Sequence, residues 1–125
     1  MVKFIRLFCI GGGVYNVLEI LWRGHSHWSM FLVGGACFHV IGRVGGRMRR
    51  HGILAVAAAC AVAVTAVEYV SGCLFNRKLK LGVWDYSHQP ANIRGQVCLG
   101  YSVLWAGLSV IALPVYERLK KGKVK

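Results

Sequence analysis

Acidic residues are scarce in this chain. Of 125 residues only Glu19, Glu68, Asp85 and Glu117 carry a carboxylate, against sixteen Lys and Arg and a net charge of +12. A soluble domain disperses both signs of charge along its length. Here the cations form short clusters and the stretches between them are apolar, the pattern of spans and joints. That placement argues against a nucleic-acid binder, whose basic residues would form a stripe on a polar surface. No C-x-x-C pair occurs among Cys9, Cys37, Cys60, Cys73 and Cys98, and each lies in an apolar run. Zinc or disulfide frameworks need spacings that are absent, so these cysteines read as small buried hydrophobes. There is no G-x-x-x-x-G-K-[ST] loop either, so the chain is not itself an ATPase. The first apolar run follows Lys3 and Arg6 as a secretory signal would. It lacks an A-x-A-like cleavage site and contains Glu19, so it reads as a retained helix.

Apolar sequence is abundant. Hydrophobic residues make up 56% of the chain and its mean hydropathy is +0.51, above the roughly 45–50% of soluble domains. Four apolar runs, at about residues 4–22, 28–44, 53–75 and 96–116, each approach the roughly 20 residues that cross a hydrocarbon core. The expected fold is an all-α polytopic membrane protein, one domain of four transmembrane helices over residues 1–125, followed by a basic tail at 117–125. Lys3, Arg6, the four arginines between helices 2 and 3, and the tail put eleven cations on one side. Arg23, Arg77, Lys78, Lys80 and Arg94 put five on the other. The positive-inside rule then places both termini in the cytoplasm of a multi-pass cell-membrane protein, with basic clusters meeting anionic lipid headgroups.

Depth counting locates the carboxylates. Glu19 and Glu68 each lie 15 residues into an outward-running helix, about 22 Å from its inner end at 1.5 Å per residue. Both therefore sit near the outer face. Asn16, Glu19 and Arg23 share a helix face, as do Thr65, Glu68 and Gly72. If the two stripes meet, they form a polar pocket that opens outward, and ionisable groups within spans usually mark a pathway or site. The bland reading is an i,i+4 ion pair of Glu19 with Arg23, and for Glu68 either pairing with Arg77 or Arg94 or a protonated carboxyl. His25 and His27 form a short H-x-H too weak to define a metal site, and His39 reads as a hydrogen-bonded packing residue. Trp22, Trp28, Tyr69, Trp84 and Tyr86 suit an interfacial aromatic belt. The joint between helices 3 and 4 carries more than a belt needs: Trp84-Asp85-Tyr86-Ser87, then Pro90, Asn92, Arg94 and Gly95. These residues favour an ordered outer loop that caps the pocket.

Several stretches are similar to a known family. Glu68-Tyr69-Val70-Ser71-Gly72, Val83-Trp84-Asp85-Tyr86-Ser87, Pro90-Ala91-Asn92-Ile93-Arg94-Gly95 and Ser102 to Trp105 match E-[YF]-x-x-G, W-D-Y-S, P-x-N-x-x-G and S-x-x-W. On these blocks the chain resembles the ABC-transporter type IV (CmpB-like) family of small, multi-spanning, mostly bacterial membrane proteins. The front half, with Tyr15, Glu19, Arg23 to Met30 and Gly34-Gly35-x-Cys37-Phe38, is similar to a short bacterial subgroup. The resemblance implies motif roles for Glu19, Arg23, His27, Glu68, Gly72, Trp84, Asp85, Tyr86, Ser87, Asn92 and Gly95. The unusually basic second joint and tail depart from the pattern and leave partners and lipid contacts open.

The leading functional expectation is a transporter or permease component. Its substrate- or ion-binding candidates are Asn16, Glu19, Arg23, His27, Glu68, Trp84, Asp85, Tyr86 and Asn92. It would act as a homo-oligomer, since four short helices hardly enclose a pathway, or with a partner membrane or ATPase subunit. No cofactor or metal is implied. A membrane-embedded enzyme acting on a lipid or lipid-linked substrate ranks second, because no nucleophile–base pair is recognisable. A structural or assembly subunit is the third reading.

Overall fold

Hydrocarbon offers no partner to backbone amides, so long apolar segments must satisfy them internally, as helices. The computed structural model describes residues 2–80, 82–84 and 88–120. It contains four long helices: α1 (Val2–Arg23), α2 (Trp28–Met48), α3 (Ile53–Gly72) and α4 (Leu99–Lys120). A 3₁₀ turn, Arg49–His51, links α2 to α3, and a π-helical segment, Cys73–Lys78, prolongs α3. Each of the four is long and apolar enough to cross a membrane. The chain is an all-α polytopic protein.

The helices reach beyond their apolar cores. α2 continues through Arg43 and Arg47, whose long stems can lie along a helix while the guanidinium reaches water. α4 begins at Leu99, because the residues just before it form a tight turn. There Ile93 N–H donates to the Val97 carbonyl at 2.9 Å and Gln96 N–H to the Ile93 carbonyl at 3.0 Å.

α2 is the hub. It is the least hydrophobic of the four, yet most of its span is buried, whereas the other three bury only a minority of theirs. It packs against α1, α3 and α4, while α1 and α4 touch only sparsely. Gly42 shows how α2 admits its neighbours: a Cβ there would lie within 2.4 Å of three atoms of the Tyr116 ring. Small residues promote such close approach where lipid supplies no hydrophobic drive. The fully buried side chains are small ones, Val64, Cys37, Cys60, Ser29 and Ser109. Many large apolar side chains point outward, with Leu54 82% exposed and Leu21 78%. In water each would forgo about 1.5–3 kcal/mol of burial; against lipid that loss disappears.

His39 bolts the hub to its neighbours. Its Nε2 lies 3.0 Å from the Phe4 carbonyl of α1 and its Nδ1 lies 3.1 Å from the Tyr116 hydroxyl of α4. A carbonyl can only accept, so Nε2 carries the proton. The Phe4 ring stacks on the imidazole at 4.0 Å between centroids. The expected packing role of His39 is what the structure contains. Lys3, Arg49 and Lys120 line one cavity, so both described termini lie at the α2–α3 end of the bundle. The first and third joints lie at the opposite end.

Candidate functional site

At that opposite end, α1, α3 and α4 enclose a cavity of about 190 Å³. Tyr15, Glu19 and Trp22 line it from α1, Glu68 from α3, and Tyr101 and Trp105 from α4. The two carboxylates that depth counting placed at one level therefore share a cavity. Their surroundings differ. Glu19 sits one helical turn before Arg23, with Oε1 3.0 Å from Arg23 Nε. The angle is poor, so the contact is electrostatic rather than a linear hydrogen bond. Tyr15, one turn earlier, hydrogen-bonds the same carboxylate. Arg23 also reaches past Glu19 and donates from Nη2 to the Val83 carbonyl at 3.2 Å, tying α1 to the third joint.

Glu68 is only 3% exposed. Among the described residues its Oε1 has no hydrogen-bond partner, and neither Arg77 nor Arg94 forms an ion pair with it. Cys37 of α2 lies beside it, and the indole N–H of Trp105 of α4 donates to its carboxyl group. Tyr15 stacks on Trp105 at 5.6 Å, forming one wall of the cavity. Near the rim, Trp22 Nε1 donates to the Tyr101 hydroxyl at 3.3 Å, joining α1 to α4. The Thr65 and Ser102 hydroxyls meet at 2.7 Å and join α3 to α4. Below the Tyr15–Trp105 pair lies an apolar groove of about 210 Å³ between α1, α2 and α4. Tyr15, Leu18, Trp105 and Leu108 line both spaces, so the polar cavity and the groove adjoin.

The third joint is held by two amides. Asn76, in the π-helical segment, accepts at Oδ1 from the Val83 N–H at 2.6 Å and the Trp84 N–H at 3.3 Å. Its Nδ2 donates to Gln96 Oε1 at 2.9 Å. Gln96 Nε2 donates to the Arg94 carbonyl, and the Gln96 carbonyl accepts from the Trp84 indole at 2.9 Å. Trp84 is thereby 4% exposed and anchors the joint instead of lying in an interfacial belt. A Cβ at Gly72 would stand 2.5 Å from Gln96 Oε1, so the glycine that follows Glu68 by one turn is what admits Gln96. The joint turns through left-handed backbone at Lys80, Gly82, Ala91, Arg94 and Gly95. The three that are not glycine carry a conformational cost, and Asn92 helps hold that turn.

Not every candidate reaches the cavity. Asn16 turns to the first joint, where Nδ2 donates to Ser26 Oγ at 2.6 Å. His27 caps α2, its Nδ1 accepting from the Ser29 N–H at 3.2 Å. Asn92 closes an exposed turn, accepting from the Gly95 N–H at 3.0 Å and donating to the Gln89 carbonyl at 2.8 Å. Asp85, Tyr86 and Ser87 lie outside the described residues. Asn76 and Gln96 were missed as organisers; the signal available was a carboxamide at the edge of each of two apolar runs.

No curated protein and no solved structure matches the chain. The model of the family described as "Putative ABC-transporter type IV" matches residues 7–124, nearly the whole chain. With its four apolar helices and the E-Y-x-x-G glycine packed on the third joint, the chain belongs to that family.

Proposed function

We propose that this protein is a transporter or permease component whose site is the Glu19–Glu68 cavity, open near the outer membrane face. The observation that carries the reading is the state of Glu68: almost fully buried, unpaired at Oε1, and facing a cavity. A carboxylate without a counter-ion in a low-dielectric site is neutralised by a proton or a cation. Glu19 already has Arg23, so Glu68 is the group that takes up the mobile charge. The excess of Lys and Arg at the other end supports cytoplasmic termini. ATP hydrolysis, if the family description applies literally, comes from a partner subunit, because this chain has no phosphate-binding loop.

The test is flux in proteoliposomes that trap a pH-sensitive dye, with a membrane potential imposed. Wild-type protein is expected to carry protons or a supplied monovalent cation above the protein-free leak. Glu68→Gln should fall to the leak rate at an equal level of folded protein. Glu19→Gln should reduce flux less, since its carboxylate is already paired. Full activity in both variants would end this reading.

A second reading, action on a lipid or lipid-linked substrate, is favoured by one feature: the apolar groove adjoining the polar cavity. That reading expects turnover of a lipid in detergent with no gradient present.

A further inference from the structure

A larger cavity lies at the opposite end of the bundle and takes no part in the proposed transport site. It measures about 680 Å³ and is formed by α1, α2, the 3₁₀ turn and α4. Lys3, Arg43, Arg47, Arg49 and Lys120 all line it. Among the described residues its only carboxylate is Glu117, which Arg49 already holds in an ion pair. Four cations from three helices thus face a single space, and no carboxylate among the described residues that line it is free to answer them.

The sequence explains why a space exists there. Arg43 and Arg47 are one turn apart on α2, so they project from one face. Gly42 is covered by the Tyr116 ring, but Gly46, one turn later, leaves the helix backbone bare. A Cβ at Gly46 would meet nothing nearer than Glu117 Oε2 at 3.8 Å. The His39–Tyr116 pair forms the floor and is satisfied within the protein. The half-exposed ring of Phe4 and the buried Leu7 supply an apolar flank from α1.

We propose that this pocket binds a phosphate-bearing anion. Guanidinium groups match phosphate oxygens through paired N–H donors, and lysines add unpaired positive charge. Basic pockets between transmembrane helices hold phospholipid headgroups by this chemistry. An anionic phospholipid headgroup and a soluble phosphate ester present the same group, and the apolar flank of Phe4 and Leu7 suits the first methylenes of a lipid's acyl chains.

The experiment is native mass spectrometry of the full chain in detergent, titrated in one arm with phosphatidylglycerol or phosphatidylcholine and in the other with glycerol 1-phosphate. Saturable binding of phosphatidylglycerol in preference to phosphatidylcholine assigns a lipid source. Saturable binding of glycerol 1-phosphate assigns a soluble one. Arg43→Gln with Arg47→Gln should weaken whichever ligand binds by roughly thirtyfold, the loss of two cation contacts. Arg77→Gln with Lys78→Gln removes equal charge at the far end and should change binding by less than about twofold. Gly46→Leu puts a side chain into the space beside Arg43 and Arg47 while keeping every charge and should also weaken binding, so the proposal stays testable if the arginine variant does not fold. Binding of neither ligand, equal loss in both charge variants, or unchanged binding in Gly46→Leu would overturn it.

Discussion

Asn76 uses both ends of its carboxamide on one joint, accepting two backbone N–H groups and donating to Gln96. No other described side chain holds Val83 and Trp84 by their amides. Replacing it with alanine removes three hydrogen bonds, each worth about 0.5–1.5 kcal/mol net, and strands two backbone donors near a buried indole. Asn76→Ala is therefore expected to release the joint by about 2–4 kcal/mol while leaving the helices folded. Hydrogen exchange checks this: the Val83 and Trp84 amides should lose protection, and amides in the middle of α2 should not. If both sets are unchanged, the amide does not hold the joint. This network was hard to read from sequence for a physical reason. An amide's partners depend on the path of the intervening chain, and Asn76 and Gln96 become neighbours only after the third joint closes. The carboxylates were easier. Glu19 and Glu68 stand out in apolar runs, and a fixed rise per residue puts them at one depth. Which of the two is paired was set locally for Glu19, by Arg23 at i+4, and by tertiary surroundings for Glu68.

The helix of lowest mean hydropathy, not the highest, is the structural hub. α3 has the highest mean hydropathy and buries little, whereas α2 has the lowest and is the hub. In water the most apolar element seeks the core. In a membrane the most apolar element can face lipid, and the central helix needs small residues that fit its neighbours. The four spans were legible from apolar length because hydrocarbon forces that match; the hub was not, because which apolar face meets protein and which meets lipid is set by how the helices pack. Two glycines separate these effects. At Gly42 a Cβ would overlap the Tyr116 ring, which is held by His39 and faces Phe38 edge-on at 5.1 Å. Gly42→Leu should destabilise by about 3 kcal/mol or more, the upper end for overpacking. At Gly100 a Cβ would meet nothing within 4 Å, and Gly100→Leu should be neutral or stabilising by up to about 1 kcal/mol from helix propensity. Thermal unfolding in detergent, followed by circular dichroism, reads both. Equal effects of the two substitutions would contradict a tightly packed α2.

For the whole molecule, charge asymmetry and site placement are linked. The end with Lys3, Arg43, Arg47, Arg49 and Lys120 holds a basic cavity, and the other end holds the carboxylate cavity. Orientation in the membrane decides which of them faces the cytoplasm, and with it the direction from which Glu68 meets a solute. The positive-inside rule predicts that the basic end is cytoplasmic. Thiol labelling can test this without removing the native cysteines. Cys37, Cys60 and Cys98 are buried, and Cys9 and Cys73 lie in helical segments long and apolar enough to face lipid, where a water-soluble reagent does not reach. Gln89→Cys, on the exposed third joint, should react with a membrane-impermeant maleimide on intact cells. Arg50→Cys, exposed at the basic end, should react only after the cells are opened. The reverse pattern would place the carboxylate cavity inside, turn the proposed site toward cytoplasmic solutes, and leave the basic pocket facing the outer leaflet. Labelling of both positions on intact cells would mean that both orientations exist, so that paired copies in opposite senses would present one cavity of each kind on either side.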